Sequence, residues 1–161
     1  MMVLSPVTST GRARLGLWIL FLIISVAFVG FRHEIGGDWE NYLEWYRRIG
    51  GETIGHTLKG KDPGYLLVNW LSGRIGWGIY GVNVFCAGAL IGALTYFCSR
   101  QPLPSLSLVV AIPYLVIVVG MGYTRQSVAL ALFFVALVFL QEKRIWQYVC
   151  VLIVATMFHT S

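Results

Sequence analysis

Gly120-Met121-Gly122-Tyr123-Thr124-Arg125-Gln126-Ser127-Val128-Ala129 sets a charged pair of residues between two long apolar runs. An arginine at the centre of a bilayer costs several kcal/mol or more, so Arg125 must lie near an interface, line a wet cavity or hold a partner. The runs on either side decide the fold. Hydrophobic residues make up 57% of the chain and charged residues 12%, and the apolar runs are too long for a soluble core. The chain is therefore expected to be an all-α, polytopic transmembrane helical bundle.

Working outward from Arg125, the apolar runs predict about five spans, near residues 15–31, 76–98, 105–122, 126–140 and 145–158, within a single integral membrane domain of residues 1–161. The first follows a tail bearing Arg12 and Arg14 and lacks a small-residue cleavage site, so it reads as an uncleaved span. The second is rich in Gly and Ala, as close helix packing in lipid favours. Pro113 falls within the third and implies a kink. A break at residues 122–124 separates the third span from the fourth.

The net charge of +5 does not indicate a nucleic-acid partner, because the basic residues are scattered among loops instead of gathered on a face. Cys86, Cys98 and Cys150 lie in apolar runs and suggest neither a disulfide framework nor a metal site. No Asp-x-Asp pair or His/Cys/Asp/Glu cluster calls for a metal, so the chemistry is read as metal-independent and without a cofactor.

Residues 32–75 form the one long hydrophilic loop, which holds Glu34, Asp38, Glu40, Glu44, Glu52 and Asp62, all the acidic residues except Glu142. Within it Trp39, Tyr42, Leu43, Tyr46 and Ile49 recur at helical spacing opposite charged positions, which predicts an amphipathic helix in the interface plane. Glu44 and Arg48 are placed for an i,i+4 pair. Asp38 fits the N-cap of this helix. After a Gly-rich turn, Asp62-Pro63-Gly64-Tyr65 reads as a second helix start, with Asp62 as N-cap and Pro63 at the first position.

Counting spans puts the loop, the Arg125 turn and His159 on one side of the membrane. The tail is read as cytoplasmic and the loop as extracytoplasmic. The tail and the short turns on its side carry basic residues with almost no acid to offset them, although the raw Lys and Arg count is higher on the loop side. All three histidines, His33, His56 and His159, then share a compartment with Arg32, Asp38, Asp62 and Arg125. Such one-sidedness points to a site.

At these residues the chain resembles the EpsG family of exopolysaccharide polymerases, relatives of the Wzy O-antigen polymerases. The order Arg32, Gly37-Asp38 with Asn41-Tyr42, Asp62-Pro63-Gly64-Tyr65, Arg125-Gln126 with Ala129, and Phe158-His159-Thr160-Ser161 matches the family's motifs at the span boundaries. Asp62 and Tyr65 stand where the family has Glu and Phe. Family members are longer, with further spans after the His-x-Ser segment, so the resemblance implies that this chain is a fragment and inactive alone.

The resemblance implies a glycosyltransferase of the bacterial plasma membrane, serving exopolysaccharide, capsule or O-antigen biosynthesis. It would pass a glycan chain from polyprenyl pyrophosphate to a lipid-linked repeat unit at the outer face. Its partners would be the lipid-linked oligosaccharide, the bilayer and other export or assembly proteins. A pyrophosphate leaving group needs fixed positive charge, which suits Arg125 first and Arg32 second. The acceptor hydroxyl needs a base or an orienting carboxylate, for which Asp38, Asp62 and His159 are the candidates. Tyr42 and Gln126 support them. Helix capping is the competing role for Asp38 and Asp62, and interfacial hydrogen bonding for His159. A transporter or lipid-carrier flippase and a non-enzymatic membrane subunit of the same pathway remain the alternative functions.

Overall fold

The computed structural model describes residues 11–49, 55 and 60–159. His56, most of the Gly-rich turn, the tail before residue 11, Thr160 and Ser161 lie outside the described residues.

Among the described residues the secondary structure is entirely helical. Helix α1 is Gly11–Gly30, α2 is Trp39–Ile49, α3 is Pro63–Ile75 and α4 is Gly78–Ser99. A continuous helix, α5, covers Pro104–Gly122, and α6 is Thr124–Gln141. The last, α7, is Ile145–Thr156. Three of these, α4, α5 and α6, are long and apolar enough to cross a bilayer, while the apolar part of α1, Leu15–Gly30, and α7 are shorter. The protein is a polytopic helical membrane protein.

Helix α4 is the central element, packing against α1, α3 and α6, and α7 packs on α6. One core cluster joins Val29 of α1, Ala87, Ile91 and Leu94 of α4, and Leu108 and Val116 of α5. Large apolar side chains point outward elsewhere, among them Ile23 and Phe28 of α1 and Val110 and Ile117 of α5. In water such a surface would aggregate, whereas in lipid it is the solvated face.

Pro113 is accommodated by a local change of helix type. It supplies no N–H to the helical ladder and crowds the preceding turn, and residues Ile112–Val119 adopt a π-helical stretch that accommodates the break without ending α5. The interruption between α5 and α6 narrows to Tyr123, at φ −132° and ψ 79°. Helix α6 therefore begins at Thr124, and Arg125 sits in its first turn.

Helix α2 is amphipathic, as its spacing predicts, with a charged outer face and an aromatic inner one. Glu40, Glu44, Arg47 and Arg48 are exposed, and Arg48 meets Glu44 at 2.5 Å. The aromatic face packs on protein. Trp39 and Tyr42 join Tyr65, Ile79, Val82, Cys86 and Val128 in a second core cluster. The segment leading into α2 is fixed by Gly36, whose φ of 98° is open to glycine, and where a Cβ would stand 2.7 Å from the Met121 carbonyl oxygen. The loop is thus drawn onto the end of α5, beside the start of α6.

Candidate functional site

The site is built at the joint between α5 and α6. A helix start leaves its first amides without intrahelical partners and carries the positive end of the dipole, and Arg125 adds a permanent charge there. Its Nη1 donates to Asp62 Oδ2 at 2.9 Å. The two residues are far apart in sequence but meet because α3 and α6 both pack on α4. The Asp62 side chain is fully buried and that of Arg125 is 24% exposed, so the pair has one closed side and one open side.

Asp62 occupies the N-cap position of α3, but its side chain makes no capping hydrogen bond. The reason is local backbone geometry. A capping residue ordinarily has extended dihedrals, which aim its oxygen at the following amides. Asp62 has φ 60° and ψ 58°, a left-handed conformation that aspartate tolerates better than most residues. Its carboxylate is turned from the helix to Arg125. The expected cap is replaced by an ion pair, while Pro63 takes the first helical position as anticipated.

Two aromatic rings cover the Arg125 guanidinium. Its carbon lies 5.0 Å from the Trp45 ring and 5.7 Å from the Tyr42 ring, both on α2, within the range of cation–π attraction. Tyr42 in turn packs on Tyr65, with ring centroids 5.7 Å apart. Burial pushes the Tyr42 hydroxyl above its ordinary pKa, with the Arg125 charge pulling the other way. Burial likewise raises that of Tyr65. Both phenols are therefore neutral donors at physiological pH.

Arg32 holds the joint together. It is 4% exposed, and its Nη1 donates to the Gly120 carbonyl at 3.2 Å while Nη2 donates to Thr124 Oγ1. One guanidinium thereby bridges the end of α5 and the first residue of α6. Cations favour the carbonyl end of a helix, which Gly120 supplies. Burial pulls the Arg32 pKa down from its ordinary value.

The end of α7 closes the opposite flank. Gly64 N donates to the Met157 carbonyl at 2.8 Å, and a Cβ on Gly64 would fall 2.9 Å from the Phe158 ring. His159, two residues beyond Met157, is half-buried, and its N donates to the Ala155 carbonyl at 3.4 Å. Asp38 stands at the rim. Its carbonyl accepts from Tyr42 N at 3.0 Å, its Oδ1 accepts from Asn41 Nδ2 at 3.4 Å, and its charge is felt by Tyr42. Gln126 is exposed.

Among the buried side-chain atoms without a hydrogen-bond partner are Arg32 Nε, Arg125 Nε, Tyr65 Oη, Asn69 Oδ1 and His159 Nδ1. Buried polar atoms are normally paired, so these residues retain donors and an acceptor for something polar. Beside them an apolar cavity of about 390 Å³ runs between α4, α6 and α7, bounded by Gly88, Gly92, Val128, Leu132 and Phe158 among others. The other end of the molecule is different in kind. There Glu142 meets Arg100 at 2.7 Å and Arg144 at 3.4 Å, the two short turns that span counting placed together.

The structure thus brings Arg125, Asp62 and Tyr42 into contact, sets Arg32 behind them, and leaves Asp38 and His159 flanking. Trp45, Thr124 and Gly120 were not foreseen. Trp45 lies outside the Trp39, Tyr42, Leu43, Tyr46, Ile49 stripe, yet it is three residues from Tyr42 and shares that side of the helix.

No curated protein and no solved structure matches the chain. The family model that does match covers residues 15–161, which includes every described residue of the site. With apolar spans and this match over nearly its whole length, the chain belongs to the EpsG family and is a membrane protein of an exopolysaccharide pathway.

Proposed function

We propose that the protein is a polysaccharide polymerase. It transfers a glycan chain from polyprenyl pyrophosphate to a sugar hydroxyl of a lipid-linked repeat unit, at the outer face of the plasma membrane. The observation that carries this reading is the half-open Arg125 guanidinium in the first turn of α6, held by Asp62 and roofed by Trp45. A leaving pyrophosphate develops charge as the glycosidic bond breaks, and a fixed arginine with helix amides beside it stabilises that charge without reorganising. Arginine suits the role through its planar fork, which binds two phosphate oxygens at once.

In this reading Arg125 takes the anion. Arg32, whose terminal nitrogens are both committed to Gly120 and Thr124, acts mainly by fixing the start of α6. Asp62 is the first candidate for the base that accepts the hydroxyl proton, with Asp38 and His159 placed to orient the acceptor sugar. Tyr42 and Gln126 border the approach. The apolar cavity along α4 and α6 offers a lipid tail a course in the same direction as the spans. The loop carrying α2 and α3 faces outward and the amino terminus lies in the cytoplasm.

A transporter of the lipid carrier is the competing reading, and inactivating the gene separates the two. Loss of a polymerase leaves single lipid-linked units displayed on the outer face, open to an added glycosidase that cannot cross the membrane. Units that stay protected until the cells are lysed would contradict polymerisation and favour transport.

A further inference from the structure

Helices α1 and α4 touch closely at one end and part at the other. Toward the Arg125 end, a Cβ on Gly30 would fall 2.8 Å from a side-chain carbon of Val84 and 2.9 Å from its Cα, so the two backbones are almost in contact there. Toward the opposite end, a Cβ on Gly92 would meet nothing within 4 Å. The helices diverge around a groove of about 640 Å³, bounded by Trp18 and Leu22 of α1, by Gly92, Thr95 and Tyr96 of α4, and by Pro104 at the start of α5.

The structure assigns this groove to an acyl chain of an anionic glycerophospholipid, taken from the leaflet opposite the Arg125 site. Three observations select that occupant. The walls are largely apolar and converge where Gly30 meets Val84, so a chain enters from the far leaflet and stops partway through the bilayer. Charge gathers at the mouth. The guanidinium carbon of Arg100 lies 5.0 Å from the ring of Tyr96, and its Nη2 donates to the Tyr96 hydroxyl at 3.3 Å. The turns at that end, residues 100–103 and 141–144, carry Arg100, Lys143 and Arg144 against the acid Glu142, which leaves them net positive. Lastly, Thr95 Oγ1 is buried without a hydrogen-bond partner. It stands five residues before Arg100, about 7.5 Å deeper along the helix.

Each part of such a lipid meets its own counterpart. Glu142 is shared by Arg100 at 2.7 Å and Arg144 at 3.4 Å, so one carboxylate does not neutralise both, and a phosphate supplies the remaining negative charge. The ester oxygens follow the phosphate toward the bilayer centre and offer acceptors to the Thr95 hydroxyl, which like other buried polar groups is expected to be paired. The hydrocarbon chain then lies against Trp18 and Leu22. A zwitterionic lipid brings its own cation to a mouth that is already positive, which favours the anionic class. A chain in the groove fills the wedge between α1 and α4. It thereby braces α1, whose other end leads to Arg32 and the joint between α5 and α6.

The test is retention of lipid by the purified protein, transferred intact from detergent into a mass spectrometer after incubation with equal amounts of phosphatidylglycerol and phosphatidylcholine. The protein is expected to retain phosphatidylglycerol about tenfold more tightly, and Arg100→Gln to cut that preference about fivefold, as the attraction of a basic residue for an anionic lipid implies. Arg48→Gln removes an exposed charge at the other end of the bundle and should leave the preference unchanged. Thr95→Phe fills the groove from α4 and takes away the unpaired hydroxyl, so it should abolish retention without stranding a polar atom. Equal retention of the two lipids would overturn the assignment, and so would retention that survives Thr95→Phe. Absence of retained lipid from the unsubstituted protein would overturn it as well, since the groove would then be filled by protein.

A second measurement needs no substitution. Phosphatidylglycerol with a photoactivated diazirine on its acyl chain should label the peptides that contain Trp18 and Thr95, and an excess of unmodified phosphatidylglycerol, but not of phosphatidylcholine, should remove the label. Labelling spread over the outward side chains of α5, such as Val110 and Ile117, would mark the lipid as part of the surrounding bilayer and contradict the site.

Discussion

Arg125→Lys should abolish polymer while single lipid-linked repeat units accumulate, and Arg125→Ala should do the same. The lysine variant is the more telling of the two. It keeps a positive charge within reach of the buried Asp62 carboxylate, so the fold survives. What it loses is the planar fork and the stacking on Trp45 and Tyr42. A lysine presents a compact, strongly hydrated charge that cannot hold two phosphate oxygens in one plane. Loss of one preorganised donor to a developing anion lowers a rate by about 100- to 1000-fold, enough to remove polymer on a gel. The alanine variant adds a second injury. Removing one member of a buried ion pair costs about 3–5 kcal/mol, so reduced protein in the membrane should accompany the lost activity. Polymer of normal length in the lysine variant would remove Arg125 from the anion role.

Arg32→Ala should be the most damaging substitution for stability outside the ion pair. It strips the Gly120 carbonyl and the Thr124 hydroxyl of their donors at a site that is nearly closed to solvent. Hydrogen bonds to a charged group contribute about 1.5–3 kcal/mol each, and the side chain also ties the end of α5 to the first residue of α6. A loss of about 3 kcal/mol or more is expected on those figures, read as a lower temperature of unfolding in detergent. Arg48→Ala is the matched control. Its partner Glu44 is on the same helix and both are exposed, and such pairs contribute only about 0.3–0.5 kcal/mol. Equal stability of the two variants would show that Arg32 does not hold the α5–α6 joint.

The parts of the fold that depend on local chemistry were legible in the sequence. Apolar runs of bilayer length, the proline in α5, the Glu44–Arg48 spacing and Pro63 at a helix start all act within a few residues, so their patterns carry their structural consequences. Span counting also put Arg32, Asp62, Arg125 and the end of α7 at one end of the bundle, because parity along the chain is a topological fact. What was hidden depends on contacts between distant segments. Asp62-Pro63 carries the same local signature whether its carboxylate caps α3 or turns to Arg125. Only the left-handed backbone and the packing of both helices on α4 decide between them. In the same way, the periodicity of α2 shows that it has an aromatic face but not which side chains that face meets, and the packing on Tyr65 and Val128 comes only with the fold. Trp45 falls off the apolar stripe because its partner is a charge, which a search for hydrophobic periodicity does not seek.

The most direct measurement is chain elongation by the purified full-length protein in liposomes supplied with a single polyprenyl-pyrophosphate-linked repeat unit. The account predicts a ladder of longer lipid-linked glycans with release of one polyprenyl pyrophosphate for each unit added, and no ladder with Arg125→Lys. Units that remain single in the presence of a folded protein, or a ladder undiminished by Arg125→Lys, would contradict it.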